Sequence, residues 1–227
     1  GPTSALTGGG TLSAGSLEVP ADISSAAFFL VGASIAADSE VTLPHVGINP
    51  TRTGVIDILK LMGADIRLEN QRDAGGEPVS DLVVKAAPLK GIEIPEALVP
   101  LAIDEFPAIF IAAACAEGET ILRGAEELRV KESDRIQVMA DGLAALGVSH
   151  EVFEDGIRIT GGEFGGGEVQ SHGDHRIAMS FAMAALRATG PITIHDCANV
   201  ATSFPGFADL ARGAGLDLEV HASKENA

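Results

Sequence analysis

The chain has 227 residues, 46% hydrophobic and 21% charged, with nine Phe and neither Trp nor Tyr. That composition predicts one substantial core, or two modest ones, built from Ala, Val, Leu and Ile. The formal net charge of −17 argues against nucleic-acid and anionic-membrane partners, because nothing would neutralise a run of phosphates. An anionic ligand must therefore be met by a local cationic pocket.

Residues 1–15 read as a linker. The chain opens on Gly1-Pro2 without Met and runs into Gly8-Gly9-Gly10, as expected of a piece of something longer. A short strand candidate, Leu17–Val19, precedes Ile23–Ala36, which is apolar on all sides and predicts a buried helix. The β-type run Val41–Val46 leads to an amphipathic helix over 54–62, with Val55, Ile58, Leu59 and Met62 on one face. Gly63 suits its C′ position, and strands at Ala64–Leu68 and Leu82–Val84 follow.

The same order returns. The second round reads Ile92–Ile94, apolar Ala108–Ala116, Thr120–Arg123, and a helix carrying Ile136, Met139, Ala140 and Leu143 that ends at Gly147. Strands at Val148–Phe153 and Ile157–Thr160 close it. The third reads Glu168–Ser171, apolar Ile177–Leu186, Ile192–His195, and a helix with Phe207, Leu210, Ala211 and Ala214 ending at Gly215. It stops one strand short, after Leu216–Val220.

The unit is thus β-α-β-α-β-β, repeated over 16–87, 88–162 and 163–221. An α/β domain spanning 16–221 is expected, with three buried helices at its centre, sheets and amphipathic helices around them, and a tail at 222–227. Two independent α/β layers are the alternative, but the copies need one another to bury their apolar helices. The longest apolar runs, near Ala26–Ala37 and Phe106–Ala116, are too short to span a bilayer.

Polar residues gather just before each buried helix: Asp22, Ser24 and Ser25, then Asp104 and Glu105, then Asp174, His175 and Arg176. For Asp22 and Ser24 a capping role worth about 1 kcal/mol is sufficient. Arg176 is different, because a cation at a helix N-terminus opposes the dipole. An anion held jointly by the helix end and the guanidinium is expected there.

Arg129, Lys131 and Arg135, interleaved with Glu132 and Asp134, stand at another helix start. On charge alone, a solvated helix face is the commoner reading of such a stretch. In a repeat fold, however, equivalent helices begin on the same side. One rim is then expected to hold Lys131, Arg135 and Arg176, with Asp104, Glu132, Asp174 and His175 as acid–base candidates. Lys131 and Arg135, four apart, share a helix face if both are helical.

Other signals are weaker. Cys115 and Cys197 read as buried thiols in a reducing cytoplasm, and metal-type Cys/His spacing is absent. His45, His150, His172, His195 and His221 are expected to be solvated or capping. The glycines at 161, 162 and 165–167 lack the Lys-Ser/Thr of a P-loop, and no Gly-x-Ser-x-Gly elbow is present.

Leu128–Arg135, Asp174–Met179 and Ala201–Pro205, together with Asp22–Ala26 and Asp104–Pro107, resemble the 5-enolpyruvylshikimate-3-phosphate synthase family. The resemblance runs from about Leu17 to Val220 and covers the second of the family's two domains. It implies an inside-out α/β barrel-type domain, a missing N-terminal domain across a cleft, and a strand from that half completing the third unit. The implied reaction moves the enolpyruvyl group of phosphoenolpyruvate to the 5-hydroxyl of shikimate 3-phosphate, without metal or cofactor.

By the same resemblance Asp104 binds the shikimate hydroxyls and acts as base, Lys131 contacts the 5-hydroxyl, and Glu132 shuttles the methyl proton. Arg135 and Arg176 clamp the phosphoenolpyruvate carboxylate, with His175 supporting them, while Arg129 and Asp134 are structural. Thr202 stands where some members have lysine, and Glu127 where some have asparagine. A domain of the sister transferase acting on UDP-N-acetylglucosamine and a non-catalytic anion-binding module are the alternatives. This half alone is expected to be inactive.

Overall fold

The computed structural model describes residues 3–11 and 13–221. Gly1-Pro2 and the expected tail at 222–227 lie outside them. In chain order the elements are α1 (Ile23–Ile35), β1 (Glu40–Gly47), α2 (Gly54–Leu61), β2 (Asp65–Ala74), β3 (Glu77–Lys85), α3 (Phe106–Cys115) and β4 (Glu119–Leu122). Then come α4 (Arg135–Ala145), β5 (Ser149–Phe153), β6 (Gly156–Thr160), β7 (Gly167–Gln170), α5 (His175–Ala184), β8 (Ile192–His195), α6 (Val200–Ser203) and α7 (Phe207–Gly213). Short 3-10 turns occupy Glu96–Leu98 and Glu126–Val130.

The three helices without a polar face, α1, α3 and α5, pack on one another. Their Ala-rich sequences let the backbones approach closely, and nearly every residue in them is buried. Asp22 starts α1 by accepting the N–H groups of Ser24 and Ser25 at 3.1 and 3.0 Å. Buried residues from α1 through Leu216 merge into one apolar cluster, so the chain does not divide into separate α/β layers.

Sheets lie outside this centre. β1, β3 and β2 form one antiparallel sheet in the order β1-β3-β2, and β4, β6 and β5 form another in the order β4-β6-β5. β7 and β8 pair in parallel on either side of α5. Single parallel bridges, Ala21 to Val46 and Glu93 to Ile121, make the same connection around α1 and α3. The amphipathic helices end as their sequences predict: Gly63 (φ 96°) and Gly147 (φ 82°) take the left-handed conformation that stops α2 and α4.

Three expected strands fail to form. Leu17 and Val19 stand in solvent, and the segment meets the sheet only at Ala21. Ile92–Ile94 likewise contributes only a bridge. Leu216–Val220 has no ladder: Leu216 is buried, but no strand among the described residues runs beside it. A β conformation without a partner leaves its backbone groups to water, so apolar alternation alone does not make a strand. The short helix α6 carried no periodic signal and was not expected.

The cysteines also differ from expectation. Cys197 is exposed and Cys115 half-buried, and both are free thiols. Burial pushes the Cys115 thiol up to about 12, so it is inert. His45 is neither solvated nor a cap: its ring meets Arg72 Nη2 at 2.8 Å and Glu18 at 3.2 Å.

One glycine is set by packing. Phe181 of α5 is fully buried against α4, and a Cβ on Gly142 would lie 2.2 Å from its ring. Gly213 in α7 has open space around it. Replacing a helical glycine by alanine ordinarily adds about 1 kcal/mol. Gly213→Ala should follow that rule, whereas Gly142→Ala should lower stability by about 1–3 kcal/mol through overpacking. Denaturant unfolding of the two variants checks the opposite signs.

Candidate active site

The N-terminal ends of α3, α4 and α5 meet at one end of the central helices, and charged side chains collect there. Arg135 opens α4 and is the largest fully buried side chain, 1% exposed. Its Nε donates to Asp174 Oδ2 at 2.8 Å, and its Nη2 donates to Glu132 Oε2 at 2.5 Å. Nη1 lies 3.6 Å from Asp104 Oδ1 and has no hydrogen-bond partner among the described residues.

Asp174 is 0% exposed. Its carboxylate caps α5, accepting the Arg176 N–H at 3.0 Å, and also accepts from Ser133 Oγ at 3.0 Å. Burial pushes its pKa up, but Arg135, Ser133 and the helix N–H outweigh that and hold it low.

Asp104 sits in the turn before α3. Its Oδ1 lies 3.4 Å from Lys131 Nζ, and its Oδ2 lies 3.6 Å from Arg52 Nη1. Burial raises its pKa, while Arg176, Lys131 and Arg135 together bring it below the usual range. The neighbouring Glu105 shows the reverse. Its carboxyl is buried, burial raises its pKa, and Ser24, Arg52 and Arg176 only partly oppose the shift.

Lys131 donates to Glu127 Oε1 at 2.5 Å, and that bond, with Asp104 beside it, raises its pKa. Arg176 reaches the Asp104 carbonyl at 3.3 Å and lies 3.9 Å from Glu105. His175 is half-buried, and burial together with Arg176 lowers its pKa, which keeps the imidazole neutral at pH 7. Glu132 is the open member, 50% exposed, with Arg135 as its ion-pair partner.

The structure thus brings Asp104, Lys131, Glu132, Asp174, His175 and Arg176 together around Arg135, as expected from helix starts on one side. Two expectations are corrected. Lys131 is extended and follows the 3-10 turn, so it shares no helix face with Arg135; it reaches the rim from the turn. The helix end at Arg176 is not free for an anion either, because Asp174 already takes the N–H groups of Arg176 and Ile177. Arg129 and Asp134 are structural. Arg129 donates to the Phe153 and Glu154 carbonyls and to Asp134, which caps α4.

Sequence reasoning missed Arg52, which no periodicity or repeat equivalence marks. It also undervalued Glu105, whose only signal was the acidic pair before α3. Asn199, at the start of α6, ties that helix to the turn before Asp174 by donating to the Gly173 carbonyl at 2.7 Å. Among the described residues, no group of three or more His, Cys, Asp and Glu is arranged to hold a metal ion. Two surface cavities, one against Leu146 and Phe164 and one lined by Phe29, Gly32 and Met183, contain none of the rim residues. The rim is a charged wall that can bind carboxylates and hydroxyls and move protons.

A family model described as EPSP synthase (3-phosphoshikimate 1-carboxyvinyltransferase) matches residues 2–210. The 3-phosphoshikimate 1-carboxyvinyltransferase of Alkalilimnicola ehrlichii is 70% identical over 94% of the chain, and that of Nitrosococcus oceani 68% identical over 94%. The chain spans about half the length of these curated relatives, 48% of each. An EPSP synthase structure from Acinetobacter baumannii superposes with a TM-score of 0.93 at 62% identity, over 96% of this chain and 51% of that one. The enolpyruvyl transferase NikO from Streptomyces tendae, at 21% identity and a TM-score of 0.69, shares the fold over 88% of this chain and 44% of its own.

The buried pair gives a stability prediction. Asp174→Asn leaves the Arg135 charge without its main partner and should cost about 3–5 kcal/mol at neutral pH. Because the folded pKa of Asp174 is depressed, its contribution is complete above the unfolded value of about 3.9 and fades as pH falls through the lower folded value. The gap between the parent and Asp174→Asn should stay constant near neutrality and close below about pH 4. Denaturant midpoints measured across pH check this.

Proposed function

The chain belongs to the EPSP synthase family, and on that premise we propose that it is the C-terminal half of a 3-phosphoshikimate 1-carboxyvinyltransferase. The observation that carries the reading is the convergence of Asp104, Lys131, Arg135 and Arg176 on one wall, with Glu132 at its open edge. The complete enzyme moves the enolpyruvyl group of phosphoenolpyruvate to the 5-hydroxyl of shikimate 3-phosphate and releases phosphate. It does so within the shikimate route to aromatic amino acids, in the cytoplasm. The opposite wall is the family's N-terminal domain.

In the proposed chemistry the 5-hydroxyl oxygen bonds to C2 of phosphoenolpyruvate, its proton leaves, and the methylene carbon gains a proton to become a methyl. In the resulting tetrahedral ketal the C2–O bond to phosphate then breaks, and the methyl loses a proton to restore the double bond. Asp104, held ionised by its cationic neighbours, binds the shikimate hydroxyls and is the base. Lys131, held charged by Glu127 and Asp104, contacts the 5-hydroxyl.

Glu132, exposed enough to meet substrate, moves the methyl proton. Arg176 binds the phosphoenolpyruvate carboxylate, with Arg135 offering Nη1, which makes no hydrogen bond among the described residues. Arg135 is buried, so it meets substrate only after the rim opens. Neutral His175 supports this clamp as a hydrogen-bond donor.

The domain at 16–221 is of the inside-out α/β barrel type, with units at 16–87, 88–162 and 163–221. The recurring parallel link around α1, α3 and α5 supports it. A strand from the N-terminal half would supply the ladder partner that the segment after α7 does not have among the described residues.

Joined to the family's N-terminal domain, the chain should release phosphate from the two substrates, and Glu132→Gln should reduce kcat by about 10²–10⁴-fold. The chain alone should release none. Full activity of Glu132→Gln removes the role given to that residue. Turnover with UDP-N-acetylglucosamine in place of shikimate 3-phosphate overturns the substrate assignment.

A further inference from the structure

Arg52 lies in the loop between β1 and α2, outside every recurring element of the chain. Its position is set locally. Asn49 Oδ1 accepts from the Thr51 N–H at 3.1 Å and from Thr51 Oγ1 at 2.8 Å, and the Arg52 N–H donates to the Asn49 carbonyl at 2.8 Å. This turn delivers the guanidinium to the rim with 43% of the side chain exposed.

The two terminal nitrogens do different things. Nη2 donates to Ser24 Oγ at 2.9 Å and to Glu105 Oε1 at 3.3 Å. Ser24 and Glu105 are 3% and 2% exposed, and Ser24 Oγ donates to Glu105 Oε1 at 2.5 Å. That buried pair joins α1 to the start of α3 and fixes one edge of the guanidinium. The other edge, Nη1, faces Asp104 Oδ2 at 3.6 Å. Asp104 Oδ1 meanwhile faces Lys131 at 3.4 Å and Arg135 at 3.6 Å. Arg176 reaches the Asp104 backbone carbonyl at 3.3 Å, so among the described residues Arg52 is the cation paired with Oδ2. An ammonium offers one nitrogen and cannot span Ser24, Glu105 and Asp104 together.

We infer that Arg52 is a positioning residue for Asp104, anchored by the buried Ser24–Glu105 pair. The inference rests on the reading of Asp104 as the carboxylate that binds the hydroxylated substrate. Without Arg52 the Oδ2 edge loses its ion-pair partner and the carboxylate is free to turn. Ser24→Ala should produce a weaker form of the same defect, because it releases the anchored edge.

The test uses the enzyme completed with the family's N-terminal domain. Arg52→Gln should raise KM for shikimate 3-phosphate about tenfold, leave KM for phosphoenolpyruvate within about twofold, and move the acid limb of kcat/KM to higher pH. Arg52→Gln also takes a cation from buried Glu105, so the paired replacement Arg52→Gln with Glu105→Gln removes both charges and should show the same KM split and limb shift. A merely structural Arg52 would lower the melting temperature and leave both KM values and the limb in place, and that result overturns the inference. If Asp104→Asn raises KM for shikimate 3-phosphate and neither Arg52 variant does, the inference alone falls. If Asp104→Asn leaves that KM unchanged, the reading of Asp104 falls and the inference with it.

Discussion

The carboxylate of Asp174 is the contact on which the charged end of this domain depends. It accepts the first N–H groups of α5, the hydroxyl of Ser133 and the Nε of Arg135, all from full burial. One group therefore caps one helix, fixes the start of another and balances a buried guanidinium. A buried ion pair of this kind contributes little net stability compared with a well-packed apolar pair, since desolvation opposes the attraction. Its effect is positional: each partner alone would be a buried, uncompensated charge, so the arrangements that separate them are strongly disfavoured.

From that fixed pair the other charges take their places in layers. Arg135 reaches outward to Glu132 and toward Asp104, and Asp104 is shared with Lys131 and Arg52. Acids and cations alternate, so a chain of net charge −17 holds four cations close together without a large local excess of either sign. The alternation also divides the carboxylates by chemistry. Asp104 and Asp174 are held ionised by the cations against them, whereas burial dominates at Glu105 and raises its pKa. Two adjacent acids thus behave differently because one faces the rim and the other faces the packed ends of α1 and α3.

The apolar helices beneath make this possible. α1, α3 and α5 are buried on all sides, so their polar starts are driven to a common end. Close packing leaves them little freedom to shift, as the contact of Phe181 with Gly142 illustrates. A rigid base of that kind lets charged groups be held at 3–4 Å without collapsing into permanent pairs, as at Asp104 and its three cations.

Much of this was legible in the amino-acid order. Apolar runs identified the three central helices, and glycines following amphipathic periods marked the ends of α2, α4 and α7. The recurrence of those signals by itself puts Asp104, the 131–135 stretch and Arg176 on one side. Periodicity reports which residues must leave water, and that is a property of the sequence itself. It does not report pairing. The expected strands at Leu17–Val19, Ile92–Ile94 and Leu216–Val220 needed neighbours that the order of residues cannot guarantee. That Lys131 would meet Asp104, that Arg135 would pair with Asp174, and that Arg52 would reach Asp104 from a separate loop were decided by tertiary structure. Each is a contact between residues far apart in the chain, and such contacts exist only once packing has fixed the distances between elements.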